Sequence, residues 1–274
     1  HHFIQRVDTA IDRCGVDRTR QVSFHLSPEN HFSIQFRHQY PGKLWLEVML
    51  IAGLNDSDEA LRDIAEVKEG KYKGSFTEGP EYENVWSFGA NCENVDVGAI
   101  IQAEYLCDYY GLDGISAGNV IGFLMECVEK GLLKEADIGF PMSFGNDESI
   151  INAIHLIGKG EGPGKRWGQG VKKLAQQIEG AHEFAMHVKG LELPAYDPRG
   201  STGMALAYAT SDRGGCHLRS WPIGDELLAT EGRMDLVSLE FKAELVKTQQ
   251  DLFGMVNCSG LCLFATFAVN LKQI

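Results

Sequence analysis

At 274 residues, with 44% hydrophobic and 23% charged side chains, the chain has a soluble composition with enough apolar material for a sizeable core. Its formal net charge of -13 argues against nucleic acid or an anionic membrane surface as a partner. Seven irregularly spaced cysteines do not read as a secreted disulfide framework; with no apolar run of spanning length and no basic-then-apolar leader, the expected setting is cytoplasmic. The sequence opens His1-His2-Phe3 with no initiating Met, as expected of a piece of something longer.

Residues 1–69 read as a partial α/β segment. The apolar stretch 43–51, KLWLEVMLI, predicts a strand, the polar 53–58 a turn, and 59–67, EALRDIAEV, a helix. One such unit cannot bury both faces of its strand. The stretch 69–74, EGKYKG, marks a shift of composition and reads as a linker to a second region, 70–274. From about residue 96 the pattern is helical. Val97, Ile100, Ile101, Tyr105 and Leu106 keep three-to-four spacing after a cap at Asp96 and stop at Gly111. Ile121, Leu124, Met125 and Val128 do the same before Gly131, and Asn146 with Asp147 opens a third helix through Ile150, Ile151, Ile154 and Leu156. A fourth helix is predicted over 166–178 and a fifth over 239–256. The Pro- and Gly-punctuated 190–224 has little periodicity and reads as a long, ordered, functional loop. The fold class expected is therefore mainly α, preceded by a small partial α/β segment.

The glycine-rich 158–166, GKGEGPGKR, fails as a phosphate loop: its spacing is one residue too long, Arg166 replaces the Ser or Thr, and no strand precedes it. It reads as a turn-rich connection. A repeated step is more informative: 108–113 is DYYGLD and 257–262 is NCSGLC. Gly111-Leu112 and Gly260-Leu261 each fit a left-handed glycine cap followed by an apolar residue. The sharper alternative is a ligand site, in which the backbone amides past the left-handed Gly donate to a polar heterocycle or phosphate, Asp108 and Asp113 accept from ring N–H groups and Cys262 offers a soft metal ligand. Cys258, Cys262, Cys216 and His217 could be assembled into a zinc site, although the spacing is unlike the usual C-x-x-C pairs. Cys92, Cys107 and Cys127 fall on apolar helical faces and read as buried thiols.

Five ordered segments carry a resemblance: 77–83 TEGPEYE, 108–113 DYYGLD, 193–200 LPAYDPRG, 208–217 YATSDRGGCH and 259–264 SGLCLF. From about residue 70 to the C-terminus the chain resembles the aldehyde:ferredoxin oxidoreductase family. These enzymes oxidise aldehydes to carboxylic acids with ferredoxin as electron acceptor, using tungsten (sometimes molybdenum) on two pterins and a 4Fe–4S cluster. The resemblance implies that Asp108, Gly111, Leu112 and Asp113 bind one pterin. It puts Asn257, Gly260 and Leu261 on the other, with Cys262 a cluster ligand; Asn257 stands where the family prefers Asp. Glu83 and His217 match the catalytic residues placed beside the tungsten, and Arg219 a basic pterin contact. A Glu is a suitable base if burial raises its pKa, and a His can polarise a carbonyl oxygen. Outside the resemblance, Glu83 reads as a solvated turn residue and His217 as a side chain satisfying loop carbonyls.

The departures define a second expectation. The family's further cluster cysteines, C-x-x-C-x-x-x-C, should precede GPEYE, yet nothing lies between Cys14 and Cys92. The E-x-x-H that bridges subunits through iron in some members is Gln102-Ala-Glu-Tyr105 here, although a homodimer stays compatible with the resemblance. Residues 40–58 resemble the later part of a radical S-adenosylmethionine domain without its cysteine motif. The alternative to an enzyme is thus a non-catalytic remnant, or a subunit completed by a partner chain.

Overall fold

A computed structural model describes residues 66–77, 79–228, 232, 234–260 and 263, and the backbone of two short strands, β1 Phe24–Leu26 and β2 Phe32–Ile34. The strands pair antiparallel, His25 opposite Ser33. The α/β segment expected over 1–69, including the stretch resembling a radical S-adenosylmethionine domain, otherwise lies almost wholly outside the described residues. The described residues are mainly helical and fall into two units. The first runs to Gln169 and takes Gln177–Ala181; the second takes Gly170–Gln176 and the chain from His182.

In the first unit the expected linker is an ordered turn. The Val67 N–H donates to the Ser75 carbonyl at 2.9 Å and the Gly74 N–H to the Val67 carbonyl at 2.8 Å. Tyr72 is buried there with its hydroxyl on Asp147, and Lys71 reaches Asp147 and Glu148 at 2.9 and 2.7 Å. The change of composition at 69–74 therefore marks a polar turn docked on a helix start. The helices follow as α1 Tyr82–Phe88, α2 Val97–Tyr110, α3 Gly114–Glu129, α4 Glu135–Ile138, α5 Asp147–Lys159 and α6 Gly164–Trp167.

Their starts are set by side-chain caps. Asp96 accepts from the Ala99 N–H at 3.0 Å, Asp113 from Ser116 at 2.7 Å and Asn146 from Ser149 at 3.2 Å, each satisfying a donor the helix leaves open. Ile100, Ile101, Leu106, Ile121, Leu124, Met125, Ile150 and Ile154 form the buried apolar set, each contributing about 1.5–3 kcal/mol by leaving water. Helix α3 carries Gly114, Gly118 and Gly122 at four-residue intervals. A Cβ at these positions would come within 2.1 Å of Asn84 Oδ1, 2.5 Å of Ser87 Cβ and 2.7 Å of Asn91 Nδ2. That absence of side chains lets Ser87 donate to the Gly114 carbonyl at 3.1 Å and Asn91 to the Gly118 carbonyl at 3.1 Å. Within 158–166, Gly158 leaves room for the Tyr110 ring, whose hydroxyl lies 2.9 Å from His155 Nδ1.

The second unit holds α7 Val171–Ala175, a hairpin of β3 His187–Val188 and β4 Leu191–Glu192, α8 Thr202–Thr210, a π-helical turn Gly224–Leu228 and α9 Lys242–Ser259. Two expectations are corrected. The single helix predicted over 166–178 is two short ones, because Gly170 adopts φ +87° between them. The predicted loop 190–224 contains β4 and α8, a helix whose residues MALAYA are apolar on every side and so show no period. Beneath α8 lies a buried ion pair: Lys242 donates to Glu226, which also accepts from Ser201 Oγ and, at 3.1 Å, from the Gly203 N–H.

Candidate functional site

Glu83 sits in the first turn of α1 and is 7% exposed, so it is not a solvated turn residue. The helix that carries it has no side-chain cap of its own: Glu81, at the cap position, makes no such bond. Glu104 supplies one from α2, 23 residues on, with Oε1 accepting from the Glu81 N–H at 3.2 Å. The Glu104 carboxyl also stands beside the Asn84 side chain, which rests against Gly114. GPEYE and DYYGLD thus meet through α1 and the ends of α2 and α3.

Gly111 closes α2 in the left-handed region at φ +67°, with its N–H on the Asp108 carbonyl at 3.2 Å and that of Leu112 on the Cys107 carbonyl at 2.8 Å. Both amides are therefore committed to the cap and are not the ligand donors that the Gly-Leu step had suggested. What fits a polar heterocycle is the rest of the turn. The side chains of Asp108 and Asp113 are exposed, Asp113 using one oxygen on Ser116, and a Cβ on Gly111 would meet nothing within 4 Å. Open space beside two carboxylate acceptors suits the N–H edge of a pterin.

In the second unit His217 is half-buried, its ring 5.8 Å from that of Tyr196, which also meets Trp221 edge-on at 6.0 Å. Tyr208 donates to the Tyr196 carbonyl at 3.0 Å, so LPAYDPRG and the RGGCH segment pack together. The paired glycines have a packing reason: a Cβ on Gly214 would come within 2.1 Å of the Val188 carbonyl oxygen, and one on Gly215 within 2.9 Å of that of Leu191. The hairpin β3–β4 thereby fixes the approach to His217. Arg219 pairs with Asp212 at 2.9 Å, which holds the Asp212 carboxyl below the usual carboxylate range. Asn257 is exposed in the last turn of α9, and Gly260 caps that helix at φ +73°, again with nothing within 4 Å of a Cβ. Leu261 and Cys262 lie outside the described residues.

The thiols are less accommodating toward a cluster. Cys92, Cys107 and Cys127 are buried, as expected of structural thiols. Burial pushes Cys107 well above its ordinary range and Cys127 up to about 12, so both favour the protonated form that does not bind metal. Among the described residues no three His, Cys, Asp or Glu side chains are grouped to hold a metal ion; Cys262 of the zinc combination lies outside them. No described helix is long and apolar enough to cross a membrane. Sequence reasoning missed Glu104, Asn84 and the α3 glycines. A visible signal existed: Ile100, Glu104 and Asp108 share one face at four-residue spacing, placing a carboxylate on an apolar stripe.

The family model describing aldehyde ferredoxin oxidoreductase, domains 2 and 3, matches residues 62–274. The chain belongs to the aldehyde ferredoxin oxidoreductase family. The tungsten-containing aldehyde ferredoxin oxidoreductase of Pyrococcus abyssi is 44% identical over 198 residues, covering 70% of this chain and 32% of that protein. Its counterpart in Pyrococcus horikoshii is 43% identical over 198 residues, with the same coverage. A Pyrococcus furiosus protein named aliphatic sulfonate oxidoreductase, WOR-like subunit, is 34% identical over 161 residues, 56% of this chain and 26% of its own length. The chain thus spans 32% of the length of the aldehyde ferredoxin oxidoreductases it matches. Within this family member two pairs of family segments are brought together, one in each unit.

Proposed function

We propose that this chain is the pterin-contacting part of a cytoplasmic aldehyde-oxidising enzyme that passes electrons to ferredoxin. The observation that carries the reading is the 44% identity to a tungsten-containing aldehyde ferredoxin oxidoreductase. The burial of Glu83 in a turn held from a second helix supports it. Asp108 and Asp113 would accept from one pterin, with Gly111 leaving the space and Leu112 closing the cap; Asn257, Gly260 and Leu261 would face the other, and Arg219 would contact its charged periphery. Cys262 is the one residue assigned to a 4Fe–4S cluster. The tungsten–pterin, when bound, supplies the two-electron acceptor. Aldehyde and water together give a carboxylic acid, two protons and two electrons. Glu83 takes a proton from the water as it adds, its burial favouring the neutral product of that transfer. His217 hydrogen-bonds the carbonyl oxygen and favours charge developing there.

The test is a chimera in which residues 70–274 replace the matched segment of the P. abyssi enzyme, assayed for aldehyde-dependent reduction of ferredoxin. Glu83→Gln and His217→Gln should each lower kcat by about 10²-fold or more, with tungsten and pterin content unchanged. Wild-type rates in both variants would remove them from the mechanism. The second reading, a subunit completed by another chain, rests on the missing C-x-x-C-x-x-x-C segment before GPEYE. Tungsten and iron acquired only when a second chain is co-purified would support it.

A further inference from the structure

A buried carboxylate outside the assigned residues stands against the turn that carries Glu83. Glu104 is 5% exposed, on α2 one turn before Asp108. Its Oε1 accepts from the Glu81 N–H at 3.2 Å and its carboxyl stands beside the Asn84 side chain, so it meets the residues on both sides of Glu83. Oε2 is buried and makes no hydrogen bond among the described residues. This arrangement is not required for folding a helix start, since a Ser, Asp or Asn at the Glu81 position would cap α1 locally. Asn84 is in turn fixed by Gly114, where any Cβ would overlap its Oδ1 at 2.1 Å. Glu83 therefore belongs to a short turn clamped from two helices, with little freedom to change its aim.

We propose that Glu104 is the positioning residue of this site: through the Glu81 amide and the Asn84 side chain it fixes the turn on which Glu83 stands, and so sets where the Glu83 carboxyl points. The inference rests on Glu83 acting as the acid–base residue. It adds to that reading a second carboxylate which touches neither substrate nor metal. A long buried acidic side chain is used here because it spans from one helix to the next, and a neutral amide of the same length would do the same work. Leucine at the position would fill the space and release the turn.

Two measurements decide it. In the 274-residue chain, Glu104→Leu should speed hydrogen exchange at the Glu81 and Tyr82 amides by about tenfold or more while the centre of α3 is unaffected. In the chimera the same change should lower kcat by about 30-fold or more with KM, tungsten and pterin content unchanged, and Glu104→Gln should recover kcat to within about threefold of wild type. Asn84→Ala, which releases the other half of the clamp, should lower kcat in the same sense, and its effect should shrink when Glu104 is already Leu. If Glu104→Leu does not fold, Asn84→Ala and Glu104→Gln still decide the matter. Wild-type kcat in Asn84→Ala, or loss of activity in Glu104→Gln equal to that in the other variants, would overturn the positioning role. So would a fall in kcat that only tracks lost cofactor. A fully active Glu83→Gln chimera would instead sink the reading of Glu83, while unchanged exchange at Glu81 beside an inactive Glu83→Gln would sink the inference alone.

Discussion

Glu104 also has a thermodynamic signature that belongs to the single residue. Burial, aided by the like charges of Asp108 and Glu81 and opposed by the bond to the Glu81 amide and by the Asn84 side chain, pushes its carboxyl up to about 7 from an ordinary value of 4.5. A carboxyl whose pKa is higher in the folded state binds its proton more tightly there. Its contribution to stability is full below about pH 4.5 and is lost as pH rises through about 7. The loss is at most roughly 3 kcal/mol across that window. Glu104→Gln keeps the length and the acceptor but cannot ionise. Urea unfolding of both chains from pH 5 to pH 8 should therefore show the variant gaining on wild type as pH rises. A difference between them that does not change with pH would mean that Glu104 is solvated or otherwise paired. Glu83 was nameable from GPEYE by resemblance; Glu104 showed only as a carboxylate at helical spacing among apolar residues, with no sign of what it holds. Its partners are a backbone amide 23 residues away and an amide side chain, and neither relation leaves a local pattern.

At the scale of elements, the glycines of α3 and α9 should respond in opposite senses to the same substitution. In a free helix, alanine exceeds glycine by about 1 kcal/mol. Gly254 in α9 has nothing within 4 Å of a built Cβ and no positive φ, so Gly254→Ala should stabilise by about 0.5–1 kcal/mol. Gly118 faces Ser87, whose Cβ and backbone carbon would lie 2.5 and 2.8 Å from the new methyl. There the overlap outweighs propensity, and Gly118→Ala should destabilise by about 1–3 kcal/mol through a shift of α1. Thermal unfolding of the two variants checks the pair; stabilisation at both sites would show that α1 moves away freely. The same contrast explains how much of the fold was legible. Asp96, Asn146 and Gly111 were readable because a cap is a local bargain between one side chain and the nearest amides. Helix α1 was not, since it is only 7 residues long and takes its cap from another helix. Nor was α8, because a helix apolar on every side has no polar face to give it a period.

At the scale of the whole molecule, the ordered motifs along the sequence sort into two units, GPEYE with DYYGLD in one and LPAYDPRG with RGGCH in the other. That sorting was invisible in the sequence, which gives order but not pairing. It bears on what these 274 residues do when expressed by themselves. A 4Fe–4S cluster takes four thiolates. Of the seven cysteines, Cys92, Cys107 and Cys127 are buried among apolar helices of the first unit, and the raised pKa values of Cys107 and Cys127 oppose the deprotonation that ligation requires. Recruiting them would mean opening the core that holds α1 and, with it, Glu83. Cys216 is buried against the hairpin turn and Cys258 is exposed on α9, both in the second unit. The expected outcome is that anaerobically purified chain carries well under about four irons and gives no aldehyde-dependent dye reduction. Iron, acid-labile sulfide, tungsten and molybdenum are measured on the same sample as the dye assay. About four irons per chain together with aldehyde-dependent reduction would overturn this, and would mean that other thiols had taken over the cluster.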